Sequence, residues 1–181
     1  MDWGTLAGAV SGGALAMAGT VLADRLRHRY EADRGTGERR RIVYLEFITA
    51  AEACHTRLRA LAKDASAADR EAAGRAALSE AGIYEARERL FLEATTGVAG
   101  AGQAMFERLR ALQRAVAGGA GTDSAAFHDA HHPYIGAVWA YRVAVREELE
   151  GQPLAPADFG WGRWDGTDRC ARCREAAAAG A

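Results

Sequence analysis

The sequence predicts an all-α protein, with an N-terminal transmembrane helix followed by an antiparallel up-down four-helix bundle and an irregular C-terminal tail. Three observations lead there. Residues Trp3 to Ala23 carry no charge. Beyond residue 38, four stretches repeat apolar residues every three or four positions, the period of a helix with one buried face. The hydrophobic content of 49% is dominated by alanine, with 8% aromatic residues and 3 prolines, which favours helix over sheet.

The first element, residues 1–24, is set by length and by its flanks. At about 1.5 Å per residue the uncharged run reaches roughly 30 Å, the hydrocarbon thickness of a bilayer. Only Met1 and Asp2 precede it, so it lacks the basic start of a cleaved export signal. Arg25, Arg27 and Arg29 follow it, with Arg34 and Arg39 to Arg41 further on. A basic flank on the C-terminal side is retained in the cytoplasm, so the expected topology is N-terminus out and C-terminal domain in, at the cell membrane. Gly4, Gly8, Gly12 and Ala16 recur every four residues and make one face nearly free of side chains. Two such helices can approach closely, which implies self-association in the bilayer. Residues 25–38 then form the Arg-rich flank and a linker, in which Gly35 and Gly37 are expected to interrupt the helix.

The bundle occupies residues 39–150. Its first helix, about 39–62, aligns Val43, Phe47, Ala50, Cys54, Leu58 and Leu61 on one stripe. The second, about 67–95, uses Ala76, Ile83, Ala86, Leu90 and Ala94, with Glu71/Arg75 and Glu85/Arg89 one turn apart on the solvent side. The third, about 98–117, carries Val98, Ala101, Met105, Leu109, Leu112 and Val116, and Gly118, Gly119 and Gly121 close it. The fourth, about 123–150, presents Phe127, His131, Tyr134, Val138, Tyr141 and Val145, with Pro133 as a kink or a start. Short connections make neighbouring helices antiparallel.

The tail, residues 151–181, changes composition: Pro153 and Pro156, then Phe159, Trp161 and Trp164, then Cys170-x-x-Cys173 and an alanine run. Three large aromatics so close together are expected to lie against the bundle over 154–164. Cys170 and Cys173 are the right residue types to bind zinc together with His128 and His132, which sit one helical turn apart. A redox or disulfide pair and inert cytoplasmic thiols are the competing readings, and the sequence alone favours inert thiols. Glu52-x-x-His55 with Asp129-x-x-His132 resembles the carboxylate and histidine pairs of di-iron bundles, but both carboxylates face away from the core at 100° per residue. His128, His131 and His132 also offer a protonation site near neutral pH, for which ordinary capping and hydrogen bonding is the commoner role. Cys54 reads as a small buried hydrophobe.

Charge narrows the partners. The 23 basic and 24 acidic residues nearly cancel, so no global field draws nucleic acid. There is no phosphate loop, nucleophile elbow or HExxH, which argues against the commonest enzyme classes. Segments such as GALAMAGTVLADRLRHR, YEARERL and CARC, in this order, resemble those of small uncharacterised single-pass membrane proteins of high-GC actinobacteria. That resemblance implies a location and a shape and no activity. The function expected first is a membrane-anchored helical interaction or scaffolding protein, with the bilayer and either a protein partner or further copies of itself as partners, and with no cofactor. Two alternatives stand beside it: a membrane-acting effector that oligomerises through its N-terminal helix, and a zinc-binding helical domain.

Overall fold

A computed structural model describes the backbone of residues 3–64 and 69–179, and within those ranges the side chains of Arg25, Arg27 and residues 35 onward. The described residues form helices and no strand. In chain order these are α1 (Trp3–Lys63), α2 (Arg70–Glu80), α3 (Ile83–Glu93), α4 (Thr96–Ala117), α5 (Ala125–Glu150) and α6 (Ala171–Ala179), with 3-10 turns at Pro156–Phe159 and Thr167–Arg169. The chain divides into two compact units, 1–39 and 40–181.

In the first unit, Gly4, Gly8, Gly12, Ala16 and Arg29 lie outside the residues whose side chains are described, while Arg25 and Arg27 are exposed. Among the described residues no helix is long and apolar enough to cross a membrane, and the side chains of the expected membrane segment, residues 1–24, lie outside those described. Gly35 and Gly37 do not interrupt the backbone, which is helical through both. An isolated glycine costs a helix only about 1 kcal/mol relative to alanine, and good helix formers such as Glu38 and Arg39 follow.

The second unit is organised around one core. On α1 the stripe Val43, Phe47, Ala50, Cys54 and Leu58 is buried, as is Val98, Met105, Leu109, Leu112 and Val116 on α4, and Phe127, Tyr134, Val138 and Tyr141 on α5. The second expected helix is in fact two. Gly82, at φ +66°, takes the left-handed conformation between α2 and α3 and redirects the chain. The buried face of α2 is therefore Gly74, Ala77 and Leu78, and Ala76 is only half-buried.

Local chemistry fixes the ends. Asp69 Oδ1 accepts from the Ala72 amide at 2.8 Å to start α2, and Ser124 Oγ accepts from the Phe127 amide at 3.2 Å to start α5. Gly118 and Gly119 end α4 with bonds to Arg114 and Val116 carbonyls. Thr95, which precedes α4, donates its hydroxyl to Glu148 on α5 instead of capping its own helix. Tyr44 donates to the same carboxylate at 2.8 Å. Between α1 and α5, Tyr141 Oη donates to the Tyr44 carbonyl at 3.1 Å and Tyr134 Oη to the Ala51 carbonyl at 3.3 Å. These satisfy two buried phenols that would otherwise be costly. Gly102 lets α4 come close: a Cβ there would meet Leu90 Cδ2 at 2.3 Å and Phe47 Cε1 at 3.3 Å.

Candidate metal centre

The tail is not wholly irregular, and its order is what builds the site. Gly151, at φ +67°, ends α5 and lets the chain reverse. The tail then runs back along the same helix, where Trp139 of α5 stacks on Trp164 with ring centres 4.2 Å apart and planes 14° apart. Trp161 and Phe159 close around Trp139, each with centroids at 5.4 Å. The aromatic run thus lies against the bundle, as its composition suggested. Further on, Gly136 leaves the room that Asp165 fills; a Cβ at that position would stand 3.4 Å from the Asp165 Cβ. Asp165 Oδ1 accepts from the amide and hydroxyl of Thr167, at 3.1 and 2.8 Å, and Asp168 Oδ2 from the Gly162 amide at 2.9 Å. These side-chain turns shape the segment that delivers Cys170 to the start of α6, with Cys173 one turn into it.

On α5, His128 and His132 share a face because four residues complete about one turn. The docked tail brings both cysteines to them. Cys170 Sγ lies 3.6 Å and Cys173 Sγ 3.8 Å from His128 Nδ1, Cys173 Sγ lies 3.2 Å from His132 Nε2, and the two ring nitrogens are 3.5 Å apart. All four ligand atoms fall within 4.8 Å of one another. A tetrahedral zinc with Zn–S of about 2.3 Å and Zn–N of about 2.0–2.1 Å has edges of roughly 3.3 Å between nitrogens and 3.6 Å between nitrogen and sulfur. The four distances given above match those edges to within about 0.4 Å, while the set as a whole is gathered within 4.8 Å.

The surroundings favour ligation. His132 is buried, and its Nδ1 lies 2.8 Å from the Asp165 carbonyl oxygen. A carbonyl can only accept, so that nitrogen carries the proton and Nε2 is left with its lone pair toward the cysteines. Holding the far nitrogen of a ligating histidine in this way is how proteins orient such rings. The Cys170 thiol is brought down to about 7, chiefly by the Cys173 backbone N–H aimed at its sulfur and then by His132. Its partner Cys173 moves the other way, up, through burial and the neighbouring sulfur. One thiolate is therefore ready near neutral pH, and a cation is what would ionise the second. Four protein ligands on one ion would leave no open position, as in structural zinc sites.

The remaining sequence candidates separate. His131 is not among the four ligands; it stacks between His55 and Phe127, with centroids at 5.3 Å to each, and its ring edge meets His132 at 5.4 Å. Burial, with His55, His132, Arg59 and His128 around it, lowers it to about 4, so it is neutral at physiological pH. Glu52 pairs with His55 at 3.6 Å and with Arg142 at 3.6 Å, and is not brought to the four-residue cluster. Cys54 is fully buried and pushed up to about 12 by that burial. Sequence reasoning missed Asp165 and Gly136, because their parts are played by a backbone carbonyl and by the absence of a side chain. No protein-family model, curated protein or solved structure matches the chain.

Proposed function

We propose that this chain is a zinc-binding helical interaction protein, in which one ion held by His128, His132, Cys170 and Cys173 clamps the C-terminal segment onto α5. The observation that carries this reading is the convergence of four ligand atoms from segments 38 residues or more apart in sequence, within 4.8 Å, with His132 already oriented by Asp165. A closed ligand set supports a structural role over a catalytic one. In this proposal the ion sets the form of a surface that a partner protein reads, on a helical unit whose antiparallel up-down arrangement follows from the short connections.

Metal analysis of the purified full-length chain tests it. Close to one zinc per chain is expected, lost in the Cys170→Ser/Cys173→Ser variant and weakened as pH falls, because ligation requires deprotonated thiols. Protein purified without chelators that carries no stoichiometric metal, and takes none up, overturns it. The uncharged run in residues 1–24 followed by arginines supports a further proposal, that the unit is anchored on the cytoplasmic side of a membrane. Protease protection that places the C-terminal domain outside would refute the anchor.

A further inference from the structure

Beside the metal centre lies a cavity of about 570 Å³, within the range that holds a small organic ligand. Its wall includes Cys170, His128 and His132, so the cavity and the centre share a boundary. Three cations reach it from two separate segments: Arg59 and Lys63 from the end of α1, and Arg169 from the tail. Arg59 and Lys63 lie one turn apart on the helix, and among the described residues neither has an ion-pair or hydrogen-bond partner. Among the described residues, the Arg169 side chain is engaged only by the face of Trp161, its guanidinium carbon 5.1 Å from the ring centre. That stacking keeps its N–H groups available at the edge.

Charge and shape together select a ligand class. The one carboxylate on the wall is Asp165, whose Oδ1 is already occupied by Thr167. Three cations against one carboxylate leave a lining of +2. That balance rests on the metal reading, since a zinc ion held by two thiolates and two neutral histidines adds no net charge to the wall. Phe127, Ile135 and Trp161 supply the apolar part of the surface. We propose that this cavity binds a phosphomonoester bearing an aromatic or apolar body. Its head, which carries about −1.5 to −2 at neutral pH, meets Arg59, Lys63 and Arg169, and its body lies against Trp161 and Phe127. A soluble phosphomonoester and the headgroup of a phosphatidic acid share this chemistry.

The probe is phenyl phosphate, titrated into the zinc-loaded full-length chain by calorimetry and by tryptophan fluorescence, with phenol and inorganic phosphate alongside. Saturable binding is expected, at least about tenfold tighter than phenol and tighter than inorganic phosphate, and weakened about tenfold or more in Arg59→Ala/Lys63→Ala. Both substituted positions are exposed, so retention of zinc and of helical circular dichroism shows that the variant is folded. Vesicles of phosphatidylcholine with phosphatidic acid that compete with the probe, where pure phosphatidylcholine does not, identify the lipid as the source; no competition identifies a soluble ligand. Zinc without phenyl phosphate binding, or binding that the double variant leaves unchanged, overturns the inference and leaves the metal reading intact. Binding by a chain that holds no zinc overturns the metal reading and its charge balance, and leaves only the site.

Discussion

Tyr44 illustrates how much one buried hydroxyl is made to do. Its ring is fully buried in the core while its Oη donates at 2.8 Å to Glu148, the carboxylate that also receives Thr95 and Arg40. One acceptor thus ties α1, the start of α4 and α5 together. Burial first, and the Glu148 carboxylate second, push the Tyr44 phenol from 10.0 up to about 12. A raised phenol stabilises the fold fully below pH 10, and the contribution is lost as pH climbs towards 12, where the folded state too gives up its proton. Hydrogen bonds to charged groups contribute about 1.5–3 kcal/mol, and because Thr95 and Arg40 remain on Glu148, Tyr44→Phe should cost about 1–2 kcal/mol at neutral pH. Denaturant titrations at several pH values check both parts. The variant should also lose stability less steeply than the parent between pH 10 and 12, although Tyr134 and Tyr141, both raised by burial, and Cys54, raised to about 12 from 9.0, keep most of that slope. An identical alkaline slope in the two proteins would mean that Tyr44 is not among the groups titrating there.

At the scale of the element, what was legible depended on whether the signal was periodic. Spacing gives most of the stripes of α1, α4 and α5, because a helix that buries one face must repeat at three and four residues, and Phe47, Leu109 and Tyr141 occupy that face. Leu61, Ala101, His131 and Val145, however, are only partly buried, and His132 is the buried histidine of α5. The stretch 67–95 misled, because alanine-rich sequence keeps some helical periodicity in any register. The break depends on Gly82 adopting φ +66°, which spacing cannot reveal. The C-terminal helix, Ala171–Ala179, was hidden for another reason. Nine residues are too few to be stable by propensity alone, so its existence rests on contacts that sequence does not show. The site followed the same division. His128 and His132 were visible as a pair one turn apart, and Cys170 and Cys173 as another. Their union depends on the tail reversing at Gly151 and stacking Trp164 on Trp139, a contact between residues 25 apart with no signature in spacing.

Across the 40–181 unit, the tryptophan stack and, in the proposed zinc-bound form, the ligand set hold the tail to α5, and Asp165 joins them. Trp164 lies against Trp139, and the next residue, Asp165, gives its carbonyl to His132. Loss of the stack therefore frees both the carbonyl that orients a ligand and the turn that delivers Cys170. Residues that orient metal ligands change affinity by about 10–100-fold when altered, so Trp164→Ala should weaken zinc binding by about that factor while all four ligands remain. Coupling between two sites is reciprocal, so removal of the metal must loosen the stack to the same free-energy extent. Competition with a chromophoric chelator measures the first effect, and the change in tryptophan emission on metal removal, with faster proteolysis within 151–181, measures the second. Phe159→Ala is the control: Phe159 is 49% exposed and further from Asp165 along the chain, so its loss should move zinc affinity much less. Equal zinc affinity in Trp164→Ala and the parent would show that the four ligands assemble without help from the stack, and that the tail is held by the ion alone.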